Sequence, residues 1–356
     1  MLQIAEGLSL RGFNVDLVLI EAEGELISQV SSNVRVINLS SRKARYSIWK
    51  LVLYLNRERP TGLISAHDSA NVIAIVAKFL SCSNPRLIIT INSHLSHAYN
   101  PLNDKNLARF NVQVLFKIIK FTYQFADETV AISSGAADEA SELTKIPKDH
   151  IRIFFLPVIT DRFNQLKKQS VENPFLFSKK IPNILAVGRL TPAKDFVTLI
   201  KAFAIVIKNI PARLVILGEG ESRSQLEDLV FELGLKDKVL LPGYVDNCYP
   251  YMVSCDLFVV SSAWEGLSMV LIEALACGAP VVSTDCKSGP REILQDGKWG
   301  RLVPVGEKDI LAKAIKKSLI KDQKKIKVPD HVLDPFRQDV VAKKYQKLIF
   351  DNENLK

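Results

Sequence analysis

Glu265 and Glu273 are two carboxylates with seven residues between them, inside a segment that is otherwise apolar or small. That segment reads Trp264-Glu265-Gly266-Leu267-Ser268-Met269-Val270-Leu271-Ile272-Glu273-Ala274-Leu275-Ala276-Cys277-Gly278. One apolar strand pattern, Asp256–Val260, precedes it and another, Ala279–Ser283, follows. Ser268 as N-cap and Gly278 as the residue after the helix predict a short helix over Met269–Cys277, packed on a sheet. A buried carboxylate without a partner is costly, so an ordinary strand–helix unit has no need of Glu273. Glu265 stands just before the helix, where the free amides near Leu267–Val270 suit a phosphate or a developing negative charge.

A second candidate lies upstream in Gly188-Arg189-Leu190-Thr191-Pro192-Ala193-Lys194-Asp195-Phe196, a strand-to-helix loop. Arg can grip two oxygens at once and Lys supplies a compact point charge, which suits a pyrophosphate. A surface loop with ordinary basic residues is the alternative reading. Leu217-Gly218-Glu219-Gly220-Glu221-Ser222-Arg223 follows the next strand. It fails as a dinucleotide fingerprint, because Arg223 stands where a third glycine is required. No G-x-x-x-x-G-K-[ST] loop occurs, which argues against a P-loop ATPase. Pro242-Gly243-Tyr244-Val245-Asp246-Asn247 and Lys287-Ser288-Gly289-Pro290-Arg291-Glu292 are two further loops at strand ends. Gly289 would let the backbone approach a ligand, whereas Arg291 and Glu292 could equally be a local ion pair.

The Glu-x7-Glu spacing within a Gly-Leu-Ser turn resembles the signature of retaining glycosyltransferase family 4, which has the GT-B fold. Four loops resemble that family's in the expected order over roughly residues 183–300. The resemblance implies two Rossmann-like parallel-sheet domains facing a central cleft, with the C-terminal helix crossing back to the first domain. It implies transfer of a sugar, with retention, from a nucleoside diphosphate (a UDP-sugar) to a glycan or lipid-linked acceptor in polysaccharide or glycoconjugate biosynthesis. The nucleotide-sugar is then a substrate, and no cofactor is implied. By the same resemblance Arg189 and Lys194 hold the diphosphate, and Glu265 contacts the transferred sugar. Glu273 holds the ribose hydroxyls, with Gly188, Gly218, Tyr244, Val245, Gly266, Leu267 and Ser268 completing the donor site. The chain contains no Asp-x-Asp, which favours metal-independent chemistry. Two other readings share the fold: a sugar-nucleotide epimerase, and an inactive scaffold that binds nucleotide or a partner transferase. Asn92, where the family often has a histidine, and Leu156-Pro157, where relatives often have Asn-Pro, are departures that favour the scaffold.

These loops need a sheet to position them. Alternating strand and helix patterns run through the chain, implying parallel sheets with helices on both faces. The expected domains are residues 1–165, a polar linker at 166–182, a second domain at 183–335 and a terminal helix at 336–356. The chain opens on an amphipathic helix over Met1–Gly12. Such sheets ordinarily start with a strand feeding that helix, so the expectation is a chain short by one strand and a glycine-rich turn. His67 falls at a strand's carboxyl end, where ligands of open sheets gather. His94 lies just after another, and both are acceptor-side candidates. The stretch Phe110–Phe125 carries Phe116, Phe121 and Phe125 among Lys117 and Lys120. A basic amphipathic membrane contact is one reading, and an interior helix is the expected one.

The 356 residues suit two domains, and an apolar fraction of 47% permits substantial cores. No apolar run is long enough to span a bilayer and no signal peptide opens the chain. The five cysteines are scattered and form no Cys-x-x-Cys pair, which favours reduced thiols in a cytoplasmic setting. A formal charge of +9 can attract nucleotide phosphates, nucleic acid or an anionic membrane surface. No basic motif interleaved with aromatics appears, so nucleic acid is not an expected partner. A peripheral contact at the inner membrane face stays open.

Overall fold

A computed structural model of the chain describes residues 1–41, 44–92, 114, 117–171, 173, 180–321 and 328–350. His94 lies outside the described residues. Two compact units are present: Met1–Pro157 with Pro335–Lys356, and Val158–Asp334.

The first unit contains α1 (Leu2–Ser9), β1 (Val15–Leu19), β2 (Val34–Asn38), α2 (Ala44–Glu58), β3 (Gly62–Ala66) and α3 (Asp68–Leu80). β4 (Arg86–Ile91), β5 (Glu128–Ala131), α4 (Ser134–Thr144) and β6 (Ile151–Ile153) follow. All strand pairs are parallel, in one sheet of order β3-β4-β5-β6 and a separate pair β1-β2. β4 reads as a nearly continuous apolar run because helices cover both of its faces, and Leu87, Ile88 and Ile89 are fully buried. A cavity of about 1090 Å³ lies along the edges of β1 and β3, lined by Leu17 and Leu19 on one side and Leu63 and Ser65 on the other.

The second unit begins with α5 (Asp161–Leu166) and β7 (Asn183–Val187), then α6 (Phe196–Val206), β8 (Arg213–Leu217), α7 (Arg223–Glu232) and β9 (Val239–Gly243). It continues through α8 (Tyr249–Ser254), β10 (Leu257–Val260), α9 (Met269–Ala276), β11 (Val281–Thr284), α10 (Pro290–Ile293), β12 (Arg301–Val303), α11 (Lys308–Lys321) and α12 (Asp330–Leu333). Its parallel sheet has the order β12-β11-β10-β7-β8-β9. The first strand, β7, therefore sits centrally. The chain builds outward through β8 and β9 on one side, then returns to lay β10 against the other side of β7. Apolar residues of β7, β8 and β10 (Ile184, Leu214, Leu257) meet Phe203 of α6 and Ile315 of α11 in one core.

The last helix, α13 (Gln338–Phe350), belongs to the first unit. Its Val341, Tyr345 and Leu348 pack with Ile4 and Leu8 of α1 and with Ile88 and Val130 of the sheet. Gln338 Nε2 donates to the Gln3 carbonyl at 2.8 Å and to Glu6 Oε2 at 2.9 Å.

Two expectations need correction. The division falls after Pro157 rather than near residue 165. α5 belongs to the second unit because Phe163 packs edge-on to Tyr249, centroids 4.8 Å apart, and Asn247 Nδ2 donates to the Leu166 carbonyl at 3.0 Å. Of the stretch Phe110–Phe125, residues 110–113, 115 and 116 lie outside the described residues, and the described part is not interior throughout. Ile119 and Tyr123 are buried, but Phe121 is 67% and Phe125 41% exposed. Period and charge alone do not show on which side such a stripe finds its cover.

Candidate functional site

In the second unit the chain order reverses between β7 and β10, and in open parallel sheets ligands bind outside the carboxyl ends of the strands at such a switch point. The loop after β7 carries Gly188, Arg189 and Lys194; the loop after β10 carries Glu265. These two loops meet. Lys194 Nζ donates to Glu265 Oε1 at 2.6 Å, although 71 residues separate them. Ser262 Oγ donates to the same oxygen at 2.7 Å and Ser268 Oγ approaches it at 3.5 Å. Ser261 Oγ donates to the Lys194 carbonyl at 2.7 Å, and the Ala263 amide to the Ala193 carbonyl at 2.8 Å. The ion pair is thus tied to the strand ends through backbone as well as side chains. Thr284, at the end of β11, donates to the Ser262 carbonyl at 2.7 Å and extends the network to the next strand. Arg189 is exposed in the same loop.

Gly188 and Gly218 are adjacent across the β7 and β8 ends. Gly218 has φ +140°, and a β-carbon there would fall 2.0 Å from the Gly188 carbonyl oxygen. The lack of a side chain at Gly218 is therefore required by loop-to-loop packing before any ligand is considered. The Gly218 amide donates in turn to the Gly243 carbonyl at 2.8 Å, joining the β9 end to the same array. Tyr244, next in that loop, is 70% exposed and Val245 half-buried.

α9 begins where the sequence places it, at Met269, and ends at Ala276. The Gly278 amide reaches the Leu275 carbonyl at 2.9 Å and the Ala279 amide the Ala274 carbonyl at 3.0 Å, with Gly278 at φ +77°. This pattern closes the C-terminus with a left-handed glycine. The start differs from expectation: Ser268 occupies the N-cap position, but its side chain makes no capping hydrogen bond. It turns to Glu265, whose carboxylate competes for the hydroxyl. Of the amides expected to be free, that of Met269 donates to the Leu267 carbonyl at 3.0 Å. Gly289 lies against this turn, where a β-carbon would stand 3.2 Å from the Ser268 amide nitrogen. Gly266 and Leu267 complete the turn, Leu267 buried and Gly266 half-buried.

Glu273 sits apart from the Lys194–Glu265 pair in its contacts. Burial pushes its carboxyl up to about 7, and the Tyr249 hydroxyl, 3.4 Å away, donates to it and opposes the shift. Tyr249 is itself shifted up, by burial and then by the Glu273 charge. Burial raises the Cys248 thiol to about 12, with Glu273 adding to the effect. Burial raises Cys286 to about 12 as well, with Glu265 as the second cause. Both thiols stay protonated at neutral pH and neither is a nucleophile there.

Ser262, Ser261, Thr284 and Tyr249 escape sequence reasoning. The serine pair before Glu265 lies in view, at a strand end, but no spacing rule points a hydroxyl at a carboxylate. Tyr249 reaches Glu273 from 24 residues away. In the first unit, His67 sits at the β3 end with φ +86°, an uncommon conformation for a residue with a side chain. Its Nδ1 is 3.3 Å from Ser69 Oγ.

Comparison with known proteins bears on both units. Residues 167–329 match the family model described as glycosyl transferases group 1, and residues 1–162 that of glycosyltransferase family 4. An N-acetylgalactosamine-N,N'-diacetylbacillosaminyl-diphospho-undecaprenol 4-alpha-N-acetylgalactosaminyltransferase of Campylobacter jejuni is 34% identical over 71% of this chain and 65% of its own length. An N-acetyl-alpha-D-glucosaminyl L-malate synthase of Bacillus anthracis is 29% identical over 67% of this chain and 63% of its own. The match thus spans less than two thirds of either relative. Among solved structures, the apo lipopolysaccharide outer core galactosyltransferase WaaB aligns with TM-score 0.74 and 19% identity, covering 98% of this chain and 95% of that one. Anabaena HepE in complex with UDP aligns with TM-score 0.68 and 18% identity, over 98% and 92%. These two establish the GT-B fold.

Proposed function

Because the chain belongs to the group 1 glycosyl transferases, its first half matching family 4, we propose that it transfers a sugar from a nucleoside diphosphate to an acceptor. The acceptor class we infer is a glycan or a lipid-linked glycan, in polysaccharide or glycoconjugate assembly. The Campylobacter relative's name gives such a lipid-linked acceptor and an alpha linkage, which supports that class. HepE was solved with UDP, which supports a UDP-sugar donor.

The observation that carries this reading is the meeting of Lys194 and Glu265 at the β7–β10 switch point, held at 2.6 Å. As the bond between the sugar and the β-phosphate breaks, negative charge grows on the phosphate. Arg189, Lys194 and the backbone turn at Leu267–Val270 supply positive charge and amide dipoles to meet it, with no metal assigned to that task. The acceptor hydroxyl enters on the leaving-group side and loses its proton there, so the anomeric configuration is retained. Glu265, anchored by Ser262 and Lys194, holds the transferred sugar, and Glu273 accepts hydrogen bonds from the ribose. Tyr244 and Val245 border the base, and His67 is the acceptor-side candidate of the first unit. Among the described residues no helix is long and apolar enough to cross a membrane. A cytoplasmic enzyme in peripheral contact with an anionic membrane fits this reading.

Thermal unfolding with UDP, GDP and ADP tests the donor site. A ligand at ~100 times its Kd adds about 2.7 kcal/mol, a shift of a few degrees. The expected result is a UDP-selective shift that Lys194→Ala abolishes. Equal shifts in wild type and Lys194→Ala, or none with any nucleotide, would overturn the assignment.

A further inference from the structure

Glu273 is held differently from Glu265. Among the described residues no lysine or arginine pairs with its carboxylate, and the Tyr249 hydroxyl, 3.4 Å from Oε1, is the donor that reaches it. The second oxygen, Oε2, has no donor among those residues. A half-buried carboxylate engaged on one oxygen is costly unless hydrogen bonds also reach the other. Two hydroxyls on neighbouring carbons, as on a ribose, are donors of that kind.

Tyr249 is fixed from several sides. It opens α8, where its amide donates to Asn247 Oδ1 at 3.2 Å, and its carbonyl lies 3.8 Å from Cys277 Sγ just past the end of α9. Its ring packs against the buried ring of Phe163 in α5. α5 is in turn fastened to both neighbours. Asn247 ties it to the α8 end, while Lys167 Nζ, 5.0 Å from the Phe163 ring centroid, reaches the Ala276 carbonyl at 3.5 Å. A cation there also suits the C-terminus of α9. The phenol is thus held between α5 and α9, with its hydroxyl at Glu273. Burial and then the Glu273 charge raise Tyr249, so at neutral pH the hydroxyl keeps its proton and meets the carboxylate as a donor. Cys248 and Cys277 are the other titratable groups of this cluster.

We propose that Tyr249 is a positioning residue that engages Oε1 of Glu273 and so holds Oε2 ready for the ribose hydroxyls of the donor, making the site select ribose over deoxyribose. The inference rests on the reading of Glu273 as the ribose residue. It adds that this reading depends on a hydroxyl 24 residues away and on the α5 ring that supports it. A carboxylate with one oxygen occupied has its plane fixed, so the free oxygen is oriented before the nucleotide arrives. A hydroxyl missing from the nucleotide then leaves a buried acceptor unsatisfied, which is how such sites discriminate.

The experiment is calorimetric titration of the full chain with UDP and with its 2′-deoxy analogue, repeated from mildly acidic to mildly basic pH. The wild type should bind UDP at least about tenfold tighter than the analogue. Tyr249→Phe keeps the ring on Phe163 and removes only the hydroxyl. It should lower that ratio by roughly threefold to tenfold through loss of UDP affinity, while affinity for the analogue stays near wild type and reports intact folding. The pH midpoint of UDP affinity should move upward by roughly half a unit or more, because the hydroxyl no longer favours the charged carboxyl. In a Glu273→Gln background, Tyr249→Phe should change neither affinity further, since it acts through Glu273. An equal proportional loss for both nucleotides, an unmoved midpoint, or a further loss in the Glu273→Gln background would make Tyr249 merely structural and overturn the proposal. Glu273→Gln separates the two failures. A ratio that it leaves at the wild-type value sinks the ribose reading itself and this proposal with it. A ratio that Glu273→Gln lowers and Tyr249→Phe does not sinks this proposal alone.

Discussion

At Glu273, function and stability pull in opposite directions. Its carboxyl is raised to about 7 by burial, so between the ordinary carboxyl value and about 7 the native state binds a proton that the unfolded chain has released. Stability therefore falls as pH rises through that window. Glu273→Gln keeps the shape and cannot ionise. It should be more stable than wild type by up to about 3 kcal/mol above roughly pH 8 and no more stable below about pH 4. Nucleotide affinity should run the other way, rising with pH through about 7 in wild type and staying low and flat in the variant. Melting curves and nucleotide titrations across pH check both, and a pH-independent difference in melting temperature would contradict the account. Ser262 makes the complementary case. Ser262→Ala leaves the Lys194–Glu265 pair but removes the hydroxyl held 2.7 Å from Glu265 Oε1. Hydrogen bonds to charged groups contribute about 1.5–3 kcal/mol. A kcat loss of roughly tenfold to a hundredfold is expected with UDP affinity unchanged; a matching loss of UDP affinity would make Ser262 merely structural. Glu265 was legible because its context is local. Ser262 and Tyr249 were not, because what a hydroxyl touches is decided by the fold and not by its neighbours in sequence.

Elements were more readable than side-chain partners. The patterns for β10, α9 and β11 fall within two residues of the structure, since each pairs a strong period with a clear stop. The short pieces α5, α8, α10 and β12 carry too few residues for a period to register. Gly218 shows how one residue at an element end can carry two readings. A glycine before a ligand and a glycine against another backbone look alike in sequence, and here the Gly188 carbonyl leaves no room for a side chain. Gly218→Ala should lower stability by at least about 2 kcal/mol, through displacement of the β7 loop and a disfavoured backbone conformation, and should weaken UDP binding with it. Melting curves and UDP titrations read both effects. The split sheet of the first unit makes a separate prediction. Among the described residues β1 pairs with β2 alone, whereas β4 is paired on both sides, and an isolated two-stranded sheet is marginal in water. Backbone amides of β1 and β2 should exchange with solvent at least about a hundredfold faster than those of β4, given the range of local opening energies within one domain. Equal protection would mean that the two sheets open as one.

The two units differ in how they use the chain. The second is one continuous segment, Val158–Asp334, with its own core and the whole of the proposed donor site. The first is discontinuous and needs α13, which follows the entire second unit in sequence. Val341, Tyr345 and Leu348 are each no more than 6% exposed there. Burying a large apolar side chain contributes about 1.5–3 kcal/mol, so these three account for roughly 5–9 kcal/mol as an upper estimate. That is as large as the net stability of a typical domain, about 5–15 kcal/mol. Removing residues 335–356 should therefore unfold the first unit and spare the second. Differential scanning calorimetry of the full chain should show a transition that UDP moves upward and one that it leaves in place. In the truncated chain only the UDP-sensitive transition should remain, with its shift intact and still abolished by Lys194→Ala. A truncated chain that keeps both transitions would show that α13 is dispensable. One that loses both would show that the units fold as a single cooperative body, and that nucleotide binding depends on more than the second unit's own sheet.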